Sequence, residues 1–396
     1  MNFIPVNKAT ELILDNASSI GEELISFDKA HGRVLAEATK TDRDMPPFNR
    51  VTMDGIALKG KAYIDGQRVF KIEQIQFAGE SQKILDDAMA CIEVMTGASL
   101  PVNTDSIVRY EDIEIDGGSA TIKNEINMFR NVHRKGQDKA FGDILLPAGV
   151  ALRSGDLAVL ATVGKVHVKV NKLPKVAVVT SGDELVDVNQ TPLPHQIRKS
   201  NIYGISSLLE PYSAQVDPFH LKDDLEESIS FLTSLSKTYD VIVLSGGVSA
   251  GKKDFLPEAL KAAGVEKVFH KIQQRPGKPM WYGTKDKVNV FALPGNPVSS
   301  FMCTVRYVIP WFKKSIGLEP NNETAILSEI VVFKPDLSYF MQVTLSQKDG
   351  VLRAAPIEGG GSGDLANLNL SHAFMELPKQ DNSEYRKDTA YPIWRF

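Results

Sequence analysis

Ala9, Leu12, Ile13 and Ala17 recur at helical spacing, with Thr10 and Glu11 among them, and predict an amphipathic helix near the start of the chain. Beyond about Met45 the period shortens. Apolar runs at residues 69–75, 91–95, 106–110 and 120–123 are separated by turn residues such as Asp65-Gly66 and Asp116-Gly117-Gly118, so strands and hairpins are expected to about Lys135. Residues 136–170 read as further strands and turns that return to pack on the first segment. From about Asn171 the pattern is different in kind. Residues 176–180, 241–244 and 288–293 are almost wholly apolar, and helical stretches fall at 202–209, 225–236, 257–263 and 298–312. Apolar strands alternating with helices imply a mostly parallel sheet covered on both faces. Pro320-Asn321-Asn322 then marks a linker, and runs at 326–333, 340–345, 351–355 and 373–377 predict a small β-barrel or sandwich.

Composition narrows the class. At 396 residues the chain is too long for one ordinary core, so several domains are expected. No long uncharged apolar run exists, and no transmembrane helix is expected. The first residues lack a basic segment followed by an apolar core and carry Glu11 and Asp15, which argues against a secretory signal and for a cytoplasmic location. A net charge of -4 without a polybasic stripe argues against nucleic-acid binding. Two distant cysteines, Cys91 and Cys303, make neither a disulfide framework nor a zinc cluster and read as small buried hydrophobes. The seven histidines are scattered, and no serine sits in a G-x-S-x-G elbow.

The candidate chemistry lies where the three apolar strands end. The loops are Thr180-Ser181-Gly182-Asp183-Glu184, Ser245-Gly246-Gly247-Val248-Ser249-Ala250-Gly251 and Pro294-Gly295-Asn296-Pro297-Val298-Ser299-Ser300. In open α/β sheets ligands bind beyond the carboxyl ends of the strands. Glycine there lets backbone N–H groups approach an anion, and a following helix adds partial positive charge. One such loop is more often a tight turn. Three in one domain point to a phosphate, although none matches the Walker or dinucleotide fingerprint. Arg275-Pro276-Gly277-Lys278-Pro279 places two cations around a stiff turn. Glu184, Asp254, Asp54 and Asp138 stand in glycine-rich or turn contexts, suited to Mg²⁺ beside a phosphate. Asp254 reads equally as a helix N-cap, and Asp54 as a turn residue.

Val176-Ala177-Val178-Val179-Thr180-Ser181-Gly182-Asp183-Glu184-Leu185, Ser245-Gly246-Gly247-Val248-Ser249, Pro276-Gly277-Lys278-Pro279 and Leu293-Pro294-Gly295-Asn296-Pro297-Val298-Ser299 resemble the molybdopterin molybdenumtransferases, the bacterial MoeA family, similar also to the E domain of gephyrin. Met45-Pro46-Pro47-Phe48, Met53-Asp54-Gly55, Met95-Thr96-Gly97-Ala98 and Asn131-Val132-His133-Arg134-Lys135-Gly136 extend the resemblance over nearly the whole chain. It implies a multidomain α/β plus β fold of four parts. These are a linker region of helix and strands (1–44 with 136–170), a β-rich arm (45–135), a three-layer α/β molybdopterin-binding domain (171–318) and a C-terminal β-barrel (319–396).

The resemblance also implies a homodimer and an Mg²⁺-dependent reaction in which adenylyl-molybdopterin and molybdate give molybdenum cofactor and AMP. A molybdopterin adenylyltransferase is the implied partner protein. Carried over by position, Asp54, Asp138, Glu184, Asp254 and Lys278 are tied to activity, with Asp254 and Glu184 on the metal. Thr96, Ser181, Gly182, Ser245, Gly246, Gly247, Ser249, Pro294, Gly295, Asn296, Pro297 and Ser362 contact or shape the substrate site. Three positions depart from the family pattern: Lys199 and Lys252 stand where acids are frequent, and Gln342 where an arginine is common. The two lysines are placed to bind the anion directly or to weaken a metal site. A gephyrin-like scaffold is the alternative, disfavoured because the chain starts at the first MoeA-like motif. A nucleotide-pyrophosphate hydrolase sharing only the α/β domain is disfavoured by the matching flanking regions.

Overall fold

The computed structural model describes residues 3–125, 127, 130–248, 255–320, 323–359 and 361–396. The chain forms two compact units, one of Met1–Glu23 with Lys169–Phe396 and one of Leu24–Val168.

The first unit is built on a six-stranded sheet in the order Gln215–Leu221, Lys175–Ser181, Val241–Ser245, Val288–Leu293, Trp281–Lys285, Glu266–His270. The first four strands are parallel and the last two antiparallel to their neighbours. Because successive side chains alternate across a strand, the apolar runs serve two cores at once. Val176, Val178, Val241, Val243, Phe291 and Leu293 face Ala9, Ile13, Ile205, Met302 and Trp311. Ala177, Val179, Ile242, Leu244, Val290 and Ala292 face Leu232, Leu235, Ala259 and Leu260. Helices Val6–Asp15, Asn201–Leu209 and Pro297–Cys303 thus cover one face, and Leu225–Leu235 and Leu256–Ala262 the other. Each fully buried valine, leucine or phenylalanine contributes roughly 1.5–3 kcal/mol.

The 298–312 helical stretch differs from expectation. It runs as Pro297–Cys303, a wide π turn at Thr304–Val308, and Ile309–Ser315. Pro310 explains the break, since it has no N–H to donate and its ring would clash with the carbonyl one turn back. From this turn the buried Arg306 donates through Nε to Glu376 Oε2 at 2.8 Å and lies 4.2 Å from the Trp394 ring, tying the helix to the C-terminal strands.

Those strands close a five-membered barrel. Ser338–Lys348 pairs with both Val351–Pro356 and Ala373–Leu377, and the circuit returns through Ala390–Arg395 and Thr324–Leu327. Leu327, Met341, Val343, Ala354, Met375 and Ile393 fill it. The predicted strand at 326–333 is in fact two pieces, ending at Leu327 and resuming at Val331–Val332 against Glu384–Tyr385.

The Leu24–Val168 unit holds a second six-stranded sheet, ordered Ser106–Arg109, Gly55–Leu58, Ala90–Val94, Val69–Gln76, Ser119–Ile122, Ile113–Asp116. Ala57, Ile92 and Ile107 serve one core, and Ile56, Leu58, Cys91 and Val108 the other. The 136–170 stretch, expected to hold only strands and turns, contains a helix at Ser154–Thr162. Asp156 turns back to accept from the Arg153 N–H at 2.8 Å and caps its start. Both cysteines are free and buried, and burial pushes the Cys91 thiol up to about 12. Among the described residues no helix is long and apolar enough to cross a membrane.

Candidate active site

Register brings the glycine loops together. Thr180 pairs with Ser245 and Ser245 with Leu293, so three parallel strands end at one level and their loops leave from one edge. The loops wall a cavity of about 570 Å³ lined by Ser181, Gly182, Glu184, Ser245, Gly246, Gly247, Pro294, Gly295, Asn296 and Pro297. Ten of the sequence-derived candidates therefore share one space. Ser249 and Asp254, with Lys252, lie outside the described residues.

Gly246 differs in role from expectation. Its N–H donates to the Leu293 carbonyl at 3.1 Å, so this amide is already paired within the sheet edge. What the position requires is the missing Cβ. Its φ is +106°, and a β-carbon would lie 2.8 Å from the Ser181 carbonyl oxygen. The Ser181 hydroxyl is buried, has no hydrogen-bond partner among the described residues, and belongs to the cavity wall. A buried hydroxyl without a partner is costly unless a ligand completes it.

Sequence reasoning missed the residue that stitches these loops. Asn201 donates through Nδ2 to Ser245 Oγ at 2.9 Å and to the Gly295 carbonyl at 2.7 Å. Nothing in its local sequence announces this. Also missed was the fourth strand, Gln215–Leu221, whose run is broken by Asp217, Pro218 and His220 and which survives as an edge strand. Just past its end, Asp223 reaches the same cavity.

The cavity's ionic lining is balanced: Arg198 and Lys199 against Glu184 and Asp223. Lys199 Nζ donates to Asp187 Oδ1 at 2.8 Å and holds that carboxyl below its ordinary range. His220, half-buried beside Thr180, is held below the usual imidazole value, first by desolvation and next by the Lys199 charge. Among the described residues no group of three or more His, Cys, Asp or Glu is disposed to hold a metal. The Glu184 and Asp223 carboxylates nevertheless suit Mg²⁺, which takes one or two carboxylates and completes its shell with phosphate and water.

Lys278 does not line this cavity. It lines a neighbouring one of about 300 Å³, together with Arg275, Ser299, Gln342 and Ser362. Pro279, Pro294 and Asn296 line both. The turn carrying Lys278 is held at one end, where Arg275 pairs with Tyr339 of the barrel. Gly277 forms its tight point at φ +86°, where a β-carbon would lie 2.5 Å from Cys303 Sγ. The Phe3 ring centroid is 4.3 Å from Lys278 Nζ. Asn296 Nδ2 donates to Ser362 Oγ at 2.9 Å, so the third loop is joined to the glycine-rich segment of the C-terminal region. The Gln342 Nε2 is buried with no partner among the described residues.

Three further candidates belong to the Leu24–Val168 unit and are bonded locally. The Thr96 N–H donates to Asp54 Oδ1 at 2.6 Å, which keeps the Asp54 carboxyl below its ordinary range. Asp138 Oδ1 lies 2.8 Å from His133 Nε2, and His133 Nδ1 lies 2.9 Å from Arg50.

A parallel α/β sheet with a ligand cavity at its strand ends, followed in the chain by a closed barrel and preceded by a β-rich unit, defines a multidomain α/β class with a grafted binding site. The comparisons make it specific. The family description "MoeA N-terminal region (domain I and II)" matches residues 4–164, and "Probable molybdopterin binding domain" matches 177–314. A molybdopterin molybdenumtransferase of Synechocystis sp. is 37% identical over 99% of this chain and 100% of its own length. Two crystal structures of molybdopterin biosynthesis MoeA protein from Pyrococcus horikoshii match with TM-scores of 0.86 and 0.84 at 27% and 25% identity. They cover 100% of this chain and 99% and 100% of theirs. The chain belongs to the molybdopterin molybdenumtransferase family.

Proposed function

We propose that this protein inserts molybdenum in molybdenum-cofactor biosynthesis, converting adenylyl-molybdopterin and molybdate to molybdenum cofactor and AMP. The observation that carries the reading is a pair of adjoining cavities with different chemistry and a common wall of Pro279, Pro294 and Asn296. One is ringed by glycine loops at the ends of parallel strands, which suits a nucleotide diphosphate. The other is lined by Arg275 and Lys278, which suits a small oxyanion such as molybdate.

In this reading Gly182, Gly247 and Gly295 let the diphosphate approach the backbone, and the Ser181 hydroxyl gains a partner. Ser245 is held in place by Asn201, and Pro294 and Pro297 stiffen the loop between the cavities. Lys278 and Ser362 orient the oxyanion. Glu184 and Asp254, with Asp223 on the same lining as Glu184, would hold Mg²⁺, which would supply charge neutralisation for the diphosphate. Asp54, Thr96 and Asp138 are tied to the activity from within the Leu24–Val168 unit, Ser249 contacts the substrate, and the protein works as a cytoplasmic homodimer supplied by a molybdopterin adenylyltransferase. The four-part division at residues 1–44 with 136–170, 45–135, 171–318 and 319–396 belongs to the same proposal.

The test is to incubate the purified protein with adenylyl-molybdopterin, with and without molybdate, and to measure AMP. Molybdate-dependent release is expected. Release that ignores molybdate would mark a hydrolase, and none at all a scaffold.

A further inference from the structure

Lys199 lines the strand-end cavity, yet the residue facing it across its ion pair does not. Its side chain is 14% exposed, whereas that of its partner Asp187 is 60% exposed. The two are held on a small flap: Leu185–Val186 pairs in parallel with Ile197–Arg198, and the Lys199 N–H donates to the Val186 carbonyl at 3.0 Å. The flap fixes the lysine backbone beside the cavity, so an exchange of partners needs only rotation about the bonds of the four-carbon side chain. An ion pair with one partner so exposed to water is weak and easily exchanged. A nucleotide diphosphate carries two negative charges against the one of a carboxylate and would sit on the less hydrated side.

We propose that Lys199 is a phosphate-binding residue of this protein, parked on Asp187 when the cavity is empty and transferred to the nucleotide phosphate when it is filled. The inference rests on the nucleotide reading of the cavity given above and deepens it. Its consequence concerns the metal. Glu184 and Asp223 bring two negative charges to the lining, and an incoming phosphate meets them. An ammonium delivered by the chain itself offsets part of that repulsion. The nucleotide is therefore held before any divalent cation arrives, and Asp187 acts as a competitor for the lysine rather than as a support for it.

The competitor role gives a test by sign. AMP binding to the full-length protein is measured by titration calorimetry in EDTA and again in Mg²⁺, for the wild type, Lys199→Met, Lys199→Arg and Asp187→Asn, with thermal unfolding as the control for folding. The wild type is expected to bind AMP in EDTA. Lys199→Met should weaken that binding about tenfold, and Lys199→Arg should largely restore it. Asp187→Asn should tighten it about threefold, since it removes the competing carboxylate. A merely structural ion pair would make the methionine and asparagine variants weaken together, and that result overturns the proposal. So does a wild type that binds AMP only in Mg²⁺, or a Lys199→Met protein that binds like wild type. A wild type that binds AMP in neither condition overturns the nucleotide assignment of the cavity itself.

Discussion

The sheet of the Lys169–Phe396 unit and the sheet of the Leu24–Val168 unit each have six strands and each serve two cores, but they deliver polar residues differently. In the first, parallel strands in register end on one edge, so loops far apart in sequence meet: Ser181, Ser245 and Asn296 line one cavity. In the second, pairing is mostly antiparallel and partners are local. Asp54, just before Gly55–Leu58, is engaged by Thr96, just past the adjacent strand Ala90–Val94, and Asp138 by His133 five residues away. A parallel sheet thus gathers a site by topology, and an antiparallel one by adjacency. Glycine marks both architectures, but for different reasons: close approach of strands in one, and of loops in the other.

Gly55→Ala is the sharpest way to break the antiparallel half. A β-carbon at Gly55 would lie 2.0 Å from the Val108 carbonyl oxygen, at φ +156°, inside the sheet. Main chain cannot yield as a side chain does, and a loss of about 4 kcal/mol is expected. Hydrogen exchange and urea unfolding check it. A loss below about 1 kcal/mol would show that the two strands can part without cost.

Gly277→Ala tests the loop side of the comparison. Its β-carbon would meet Cys303 Sγ at 2.5 Å and Gln274 Nε2 at 2.7 Å, both side-chain atoms that can shift a little. About 3 kcal/mol is expected, again mainly from strain at positive φ and overpacking. The same variant should weaken oxyanion binding, because Lys278 follows directly. Unchanged stability together with unchanged binding would remove the turn from the site.

These two glycines show what was legible. Gly277 stands in a motif that the sequence announced, with prolines and cations around it. Gly55 was noticed only as a motif letter beside Asp54, because its need arises from Val108, more than fifty positions away. The same distinction runs through the fold. Runs at 241–244 and 288–293 became the strands Val241–Ser245 and Val288–Leu293, since uniform apolarity needs no partner to be recognised. Gln215–Leu221 was missed because an edge strand tolerates proline and polar residues. Ser154–Thr162 was missed although Asp156 stood at the third helical position, a capping signal that was open to reading. In the site, glycine loops were visible as composition. Asn201 and Asp223 were not, because their roles exist only across strands.

Asn201→Ala asks whether the gathered loops need a stitch. It removes two hydrogen bonds, one to Ser245 Oγ at the end of a central strand and one to the Gly295 carbonyl in the loop after the next strand. A loss of about 2 kcal/mol in stability is expected, with AMP affinity reduced about tenfold as the wall loosens. Calorimetry and urea unfolding measure the two. Stability lost with affinity intact would mean that register alone sets the cavity.

The smallest effect is read at His220, on the fourth parallel strand, where burial and the nearby Lys199 ammonium both disfavour the imidazolium. A histidine whose folded pKa lies below 6.5 adds stability that is complete above 6.5 and is lost as pH falls through the folded value. Removing the lysine charge in Lys199→Met should move the His220 midpoint upward, leaving it below 6.5 because desolvation, the larger cause, remains. Imidazole signals followed by NMR against pH report it without any ligand. If the midpoint stays where it is, the ammonium is not held near the Thr180 end of the sheet. A midpoint above 6.5 would instead make the lysine, and not burial, the main control on that edge of the parallel sheet.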